Sequence, residues 1–196
     1  GSITQAHADL GLSKAILQGR VGDLDGTPIP AHQWYRLVTS GFIHFGLFHI
    51  AMNMLLLFQL GALLERALGA VKLTAMYFAS LLAGSLGVLL VGGAALTGGA
   101  SGAVFGLMAG AAVGLHRRGV NVFSTGIGTT LLLNLVLTFS ISGISIGGHV
   151  GGAIGGAICG FVMLAPGWKP MPKWAGYAAP AAVALVALVA SVIVVG

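Results

Sequence analysis

No charged residue lies between Lys72 and Arg117, between Arg118 and Lys169, or after Lys173. Soluble domains carry charge on about a quarter of their residues, whereas only 7% are charged here and 57% are hydrophobic. Such runs predict an all-α polytopic membrane protein, because a helix satisfies its own backbone hydrogen bonds inside lipid. The 196 residues allow about six transmembrane helices of roughly 20 residues each. Hydropathy places them at 44–64, 71–95, 101–115, 120–139, 149–165 and 175–195.

The few basic residues report topology. Arg66 and Lys72 flank one short turn, Arg117 and Arg118 fill a second, and Lys169 and Lys173 a third. Scattered in this way, they form no stripe for nucleic acid. By the positive-inside rule they mark cytoplasmic turns, which leaves the uncharged connections at 92–99 and 140–147 facing outward together with residues 1–40. The chain then divides into an outer N-terminal segment and first loop (1–40), a membrane core (41–170) and an additional C-terminal transmembrane helix (171–196). Gly1-Ser2 reads as a cloning remnant. Asp25-Gly26-Thr27-Pro28-Ile29-Pro30 is rich in turn formers, and residues 9–18 are expected to form one short amphipathic helix. His7, His32 and His116 read as solvated loop residues. Trp34 and Tyr35 suit the headgroup boundary, and Cys159, in an apolar run, reads as a small buried hydrophobe.

The third expected span is too short for its task. At about 15 residues it reaches roughly 22 Å, against a hydrocarbon core of about 30 Å. It opens at Ser101 within Gly98-Gly99-Ala100-Ser101-Gly102, so a helix beginning below the surface carries a hydroxyl to a depth where irregular backbone survives only beside protein or trapped water. His149 opens a similar glycine-rich helix. Gly102, Gly106, Gly110 and Gly114 recur every four residues, as do Gly148, Gly152, Gly156 and Gly160. Small residues at that spacing let membrane helices approach backbone to backbone. Packing alone accounts for one such stripe, but here each begins beside a chemically useful side chain.

His49 and Asn53, four apart, share one face of the outer half of the first span, at the depth of Ser101 and His149. A serine becomes a nucleophile when a base takes its proton, and His149 is the candidate base. A tetrahedral oxyanion needs preorganised donors, available from the Asn53 amide, the His49 ring and the Ser101 backbone N–H. Taken singly, each residue has a plainer reading: Ser101 as a helix N-cap, His149 as a hydrogen-bonded structural histidine, His49 with Asn53 as an interhelical clasp. Their common depth on one side of the membrane favours a site.

The only acids are Asp9, Asp23, Asp25 and Glu65, and Glu65 falls at the cytoplasmic end of its span. A Ser-His dyad is therefore expected, with no third member and no pair of buried carboxylates for a di-aspartyl protease. There is no HExxH sequence, and His44 and His49, five apart, lie off a common helical face. No metal and no cofactor is expected. A small transporter would show internal repeats and ion-binding groups within its spans.

Several segments, in order, resemble the rhomboid intramembrane serine proteases: Trp34-Tyr35-Arg36 with Thr39-Ser40; His44-Phe45-Gly46-Leu47-Phe48-His49-Ile50-Ala51-Met52-Asn53; Gly61 to Glu65-Arg66; Gly99-Ala100-Ser101-Gly102; and Gly148-His149-Val150-Gly151-Gly152. They run from residue 34 to about 160. The resemblance implies a rhomboid-like helical bundle in which Ser101 is the nucleophile, His149 the general base, and His49, Asn53 and the Ser101 N–H the oxyanion hole. His44 would help order the site, Tyr35-Arg36 matches the aromatic-Arg motif of the first outer loop, and Gly99 and Gly102 flank the nucleophile. Glu65-Arg66 matches the cytoplasmic end of the corresponding helix, where its role is structural. Phe105 stands where many members stack a tyrosine on the catalytic histidine. The family places a span before the Trp-Arg loop that residues 1–33 cannot supply, as in a fragment or an unusual member. The implied partners are transmembrane protein substrates cleaved near their outer ends, within the lipid bilayer. The implied location is a bacterial cell membrane, with the site opening to the outer face. A catalytically silent rhomboid-like protein that binds membrane helices is the alternative.

Overall fold

The computed structural model describes residues 3–196; Gly1 and Ser2, read as a cloning remnant, lie outside the described residues. Two short helices, α1 (Gln5–Leu10) and α2 (Lys14–Leu17), lead to α3 (Arg36–Thr39), which continues as a 3-10 turn over Ser40–Phe42. The bundle follows: α4 (Leu47–Leu68), α5 (Ala70–Val91), α6 (Ser101–Arg117), α7 (Ile127–Ser140), α8 (Ile146–Met163) and α9 (Ala175–Val195). The chain is an all-α integral membrane protein. Four helices, α4, α5, α8 and α9, are long and apolar enough to cross a bilayer; α6 has 17 residues and α7 has 14.

Glycines at positive φ set several ends. Gly46 (φ +122) delays the start of α4 to Leu47, so residues 44–46 are loop and not helix. Gly92 (φ +78) stops α5 at Val91, short of the expected residue 95, and frees residues 92–100 to form the loop that delivers Ser101. L side chains rarely adopt such a backbone.

Helix α6 runs through the centre, burying eleven of its residues. Its glycine stripe lies on the backbone of α8: a Cβ on Gly102 would sit 3.1 Å from Gly148 O, on Gly106 2.8 Å from Gly152 O, and on Gly110 2.7 Å from Gly156 O. Close backbone approach of this kind is what small residues permit between membrane helices. Below the stripes, Leu60, Leu64, Met76, Leu107, Met108 and Cys159 form the main apolar core. Phe48, Phe58, Val186 and Ile193 point outward, as a lipid-facing surface requires. Helix α9 closes the bundle against α5 and α8. By contrast, α7 buries only Gly128 and Thr138.

Since Ser101 begins α6 and Arg117 ends it, the start of α8 and the loop 92–100 share one end of the bundle. Arg66, Lys72, Arg117, Arg118, Lys169 and Lys173 mark the other.

The N-terminal segment departs from expectation. Residues 9–18 do not form one helix: α1 ends at Leu10, Leu12 exchanges two backbone hydrogen bonds with Thr97 (2.9 and 2.8 Å), and the Ser13 hydroxyl caps α2 by accepting from Ile16 N–H at 3.1 Å. Pairing with the loop before Ser101 outcompetes helix continuation at Gly11. Leu12, Leu17 and Leu37 then join Leu82, Leu89, Ala187 and Val195 in a second core. His7 is likewise not solvated. It is buried, stacks on Phe45 at 4.6 Å and bonds His44 O through Nε2 at 3.1 Å. His32 and His116 are exposed.

Candidate active site

Ser101 does not cap its helix. Ala100 occupies the cap position without a side-chain bond, and the Ser101 hydroxyl instead lies 2.8 Å from His149 Nε2. His149 sits one turn into α8 and does not open it: Ser145 caps the helix, its hydroxyl accepting from Gly148 N–H at 3.2 Å. Phe105, four residues after Ser101 and so on the same face of α6, stacks on the imidazole with centroids 4.2 Å apart and planes 19° from parallel. The other ring nitrogen, Nδ1, meets Thr138 Oγ1 of α7 at 2.7 Å. Thr138 is the residue that sequence reasoning missed. Its signal was available, since a polar side chain in an apolar run is expensive in a membrane unless it has a partner.

His49 stands beside Gly99, two residues before Ser101. Phe45 N–H donates to its Nδ1 at 3.3 Å, which leaves the ring proton on Nε2. A Cβ on Gly99 would lie 2.8 Å from that Nε2 and 3.8 Å from Ser101 Oγ, and Gly99 has φ +128. Glycine is thus required twice: by the backbone, and to keep open the space between a hydroxyl and a ring N–H. Gly99 N–H is anchored to Ser40 O at 2.8 Å.

His44 meets His49 after all, edge to face at 5.0 Å. The expectation that they lie apart assumed one continuous helix, whereas α4 begins three residues after His44. Ala100 N–H donates to His44 Nε2 at 3.3 Å. Burial pushes the His44 pKa below its ordinary value, which favours the neutral acceptor that this bond needs. Asn53 is buried, and its amide donates to His49 O at 2.8 Å, one turn back on α4. An amide nitrogen has two N–H groups, so one donor remains. Among the described residues, Asn53 has no hydrogen bond to Ser101 or His149.

Tyr35 and Arg36 are not in contact with the pair. Arg36, 2% exposed, donates through Nη1 to Ala8 O (2.6 Å) and Gly11 O (2.8 Å) and through Nε to Gln33 Oε1 (2.6 Å). It fastens the N-terminal segment whose Leu12 pairs with the loop before Ser101. Among the described residues, no group of three or more His, Cys, Asp or Glu is placed to hold a metal ion.

A hydroxyl bonded to an imidazole, with a ring N–H nearby and the positive end of a helix dipole at the serine itself, is equipped for acyl transfer. Fold and site together define a polytopic α-helical membrane protein with a hydrogen-bonded serine–histidine pair in its interior. Residues 31–166 match the family model described as the Rhomboid domain. The chain belongs to the rhomboid family. It is 32% identical to Rhomboid protease GluP of Bacillus subtilis (strain 168) over 132 residues, 65% of this chain and 26% of that protein. It is 30% identical to RHOMBOID-like protein 4 of Arabidopsis thaliana over 169 residues, 82% of this chain and 42% of the relative. Over 92 residues, 45% of this chain and 18% of the relative, it is 38% identical to Rhomboid-type serine protease 2 of Emericella nidulans. The chain thus spans less than half the length of these relatives. No solved structure matches it.

Proposed function

We propose that this chain is an intramembrane serine endopeptidase that cleaves transmembrane helices of other proteins near their outer ends. The observation that carries this reading is the 2.8 Å contact between Ser101 Oγ and His149 Nε2, with Phe105 stacked on the imidazole. Ser101 attacks the scissile carbonyl while its proton passes to His149 Nε2. The oxyanion is held by the Ser101 backbone N–H, His49 Nε2–H and the remaining Asn53 N–H. On collapse, His149 returns the proton to the leaving amine, and water then hydrolyses the acyl-enzyme by the reverse route. No step calls for a cofactor.

The substrate enters sideways. Helix α7, which buries only Gly128 and Thr138, supports entry beside it; the cleft of about 360 Å³ between α4 and α7, lined by Leu56, Gln59 and Leu63 of α4, Leu115 of α6 and Ile127 and Thr130 of α7, lies in the half of the bundle nearer the basic turns and away from Ser101. The basic turns at the far end of the bundle support an outward-facing site in a cell membrane.

The test is labelling by a fluorophosphonate probe together with cleavage of a model transmembrane substrate. Both are expected in the wild type and lost in Ser101→Ala and His149→Ala while each variant stays folded in detergent. Cleavage persisting in purified Ser101→Ala overturns the nucleophile. A folded wild type that neither labels nor cleaves would be a membrane-helix binder instead.

A further inference from the structure

We propose that Thr138 sets the tautomer of His149 and so holds it ready as a base. This positioning role rests on the reading of Ser101 and His149 as the dyad. The hydroxyl oxygen of Thr138 lies 2.7 Å from two atoms, Asn134 O on its own helix and His149 Nδ1 on α8. A carbonyl can only accept, so the single hydroxyl proton is committed to Asn134 O. The oxygen is left to accept from the imidazole, which puts the ring proton on Nδ1. A neutral imidazole carries one N–H. Nε2 therefore presents its lone pair to Ser101 Oγ at 2.8 Å, in the form that takes the serine proton.

The arrangement also serves the next state. Once Nε2 is protonated, both ring nitrogens are donors, and Thr138 remains the acceptor for Nδ1–H throughout. The opposite tautomer would set the Nδ1 lone pair against the hydroxyl and pull its proton from Asn134 O, leaving that oxygen without this donor. Thr138 is 1% exposed, so water offers no substitute.

A threonine bonded to the carbonyl four residues back is also a common way to place a hydroxyl in a membrane helix, and that role alone would leave His149 untouched. What distinguishes the two is that α7 buries no other polar side chain among the described residues, and the one it buries is aimed at the imidazole.

The experiment combines nitrogen NMR of the full chain, labelled at histidine, with cleavage kinetics in detergent micelles. The His149 signal is assigned by its loss in His149→Asn. In the wild type, Nδ1 is expected to carry the proton and Nε2 to be bare. Thr138→Val keeps the side-chain shape and removes the acceptor. The Nε2-protonated form should appear, with kcat lower by about 10–100-fold, the usual cost of losing an outer partner that orients a histidine. KM should stay within about twofold, since no substrate contact is lost. Thr138→Ser should restore both spectrum and rate.

A wild-type spectrum with Nε2 protonated overturns the proposal. So does a Thr138→Val variant that loses rate with an unchanged His149 spectrum, or one that keeps full rate. Should Thr138→Val fail to fold, the wild-type and Thr138→Ser spectra still decide the question. If the wild type shows no Ser101-dependent cleavage, the protease reading fails, and the spectra judge Thr138 independently.

Discussion

A single methyl group on Gly152 should disable the dyad without unfolding the bundle. Gly152 lies three residues after His149 on α8, and a Cβ built there falls 2.6 Å from the carbonyl carbon of Gly102, the residue next to Ser101, and nearer still to its oxygen. Carbon atoms settle at about 3.5–4.0 Å, so relief requires α6 and α8 to part locally by about 1 Å. The obstructing atoms are backbone within two helices, with no flexible side chain to swing aside. The Ser101–His149 contact, 2.8 Å now, would stretch beyond hydrogen-bond range, and a misplacement of about 1 Å can cost about 10²-fold in catalysis. Overpacking typically costs about 1–3 kcal/mol, within the reserve of most folds. Fluorophosphonate labelling of Gly152→Ala should therefore slow by about two orders of magnitude while thermal melting in detergent falls only modestly. Gly61→Ala is the control, because nothing lies within 4 Å of a Cβ there. Labelling of Gly152→Ala at the wild-type rate would mean that the glycine stripes do not set the Ser101–His149 distance.

Asn53→Ala should slow cleavage by about 10²–10³-fold, the typical cost of one oxyanion donor when others remain; an unchanged rate in a kinetic assay would remove Asn53 from the site. Phe105→Leu forfeits the ring stack on His149, worth about 0.5–1.5 kcal/mol, so labelling should slow by about two- to tenfold while Phe105→Tyr stays near wild type. Equal losses in both variants would show that stacking is not the relevant contact. Arg36→Met keeps bulk but strips Ala8 O and Gly11 O of a buried donor, at about 1–3 kcal/mol for each acceptor left unmade. Melting temperature should fall and limited proteolysis should cut first within residues 5–31; an unaltered melt with unaltered cleavage sites would refute the fastening role.

The helical bundle was legible because lipid removes alternatives: a long uncharged run has to be helix, and the glycine spacing already contained the α6–α8 approach. The ends of the spans were less so. Hydropathy does not register that Gly46 and Gly92 need positive φ, so the expected spans ran into loops. Ser101, His149, His49 and Asn53 could be singled out because each is a polar group at a depth that charges it for being there. Thr138 meets the same criterion, yet Thr129, Thr130 and Asn134 surround it on a helix of weak pattern. Only the approach of α7 to α8 distinguishes it from them. His7 departs from its expected solvated position for the opposite reason. Its neighbours Gln5, Ala6, Ala8 and Asp9 do not mark it as buried, and its burial comes from Phe45, thirty-eight residues away in sequence.

The N-terminal segment carries no catalytic group in this reading, but the geometry at Ser101 depends on it. The loop that delivers the serine has no regular structure of its own and must be held from outside. Leu12 holds it at Thr97, Ser40 holds it at Gly99, and His44 holds it at Ala100. Each of these anchors is itself tied down. Arg36 binds the carbonyls on either side of α1's end, Ser85 of α5 donates to Leu37 O at 2.7 Å, and Gln18 reaches the end of α9 at Val195 O. A glycine adopts φ +128 without steric cost but is also the freest residue in the unfolded chain, so its surroundings have to fix it beside two reactive groups. Here four hydrogen bonds, at Thr97, Gly99 and Ala100, fall within four residues of the nucleophile, which is why a segment without chemistry of its own is folded onto the end of the bundle that carries Ser101.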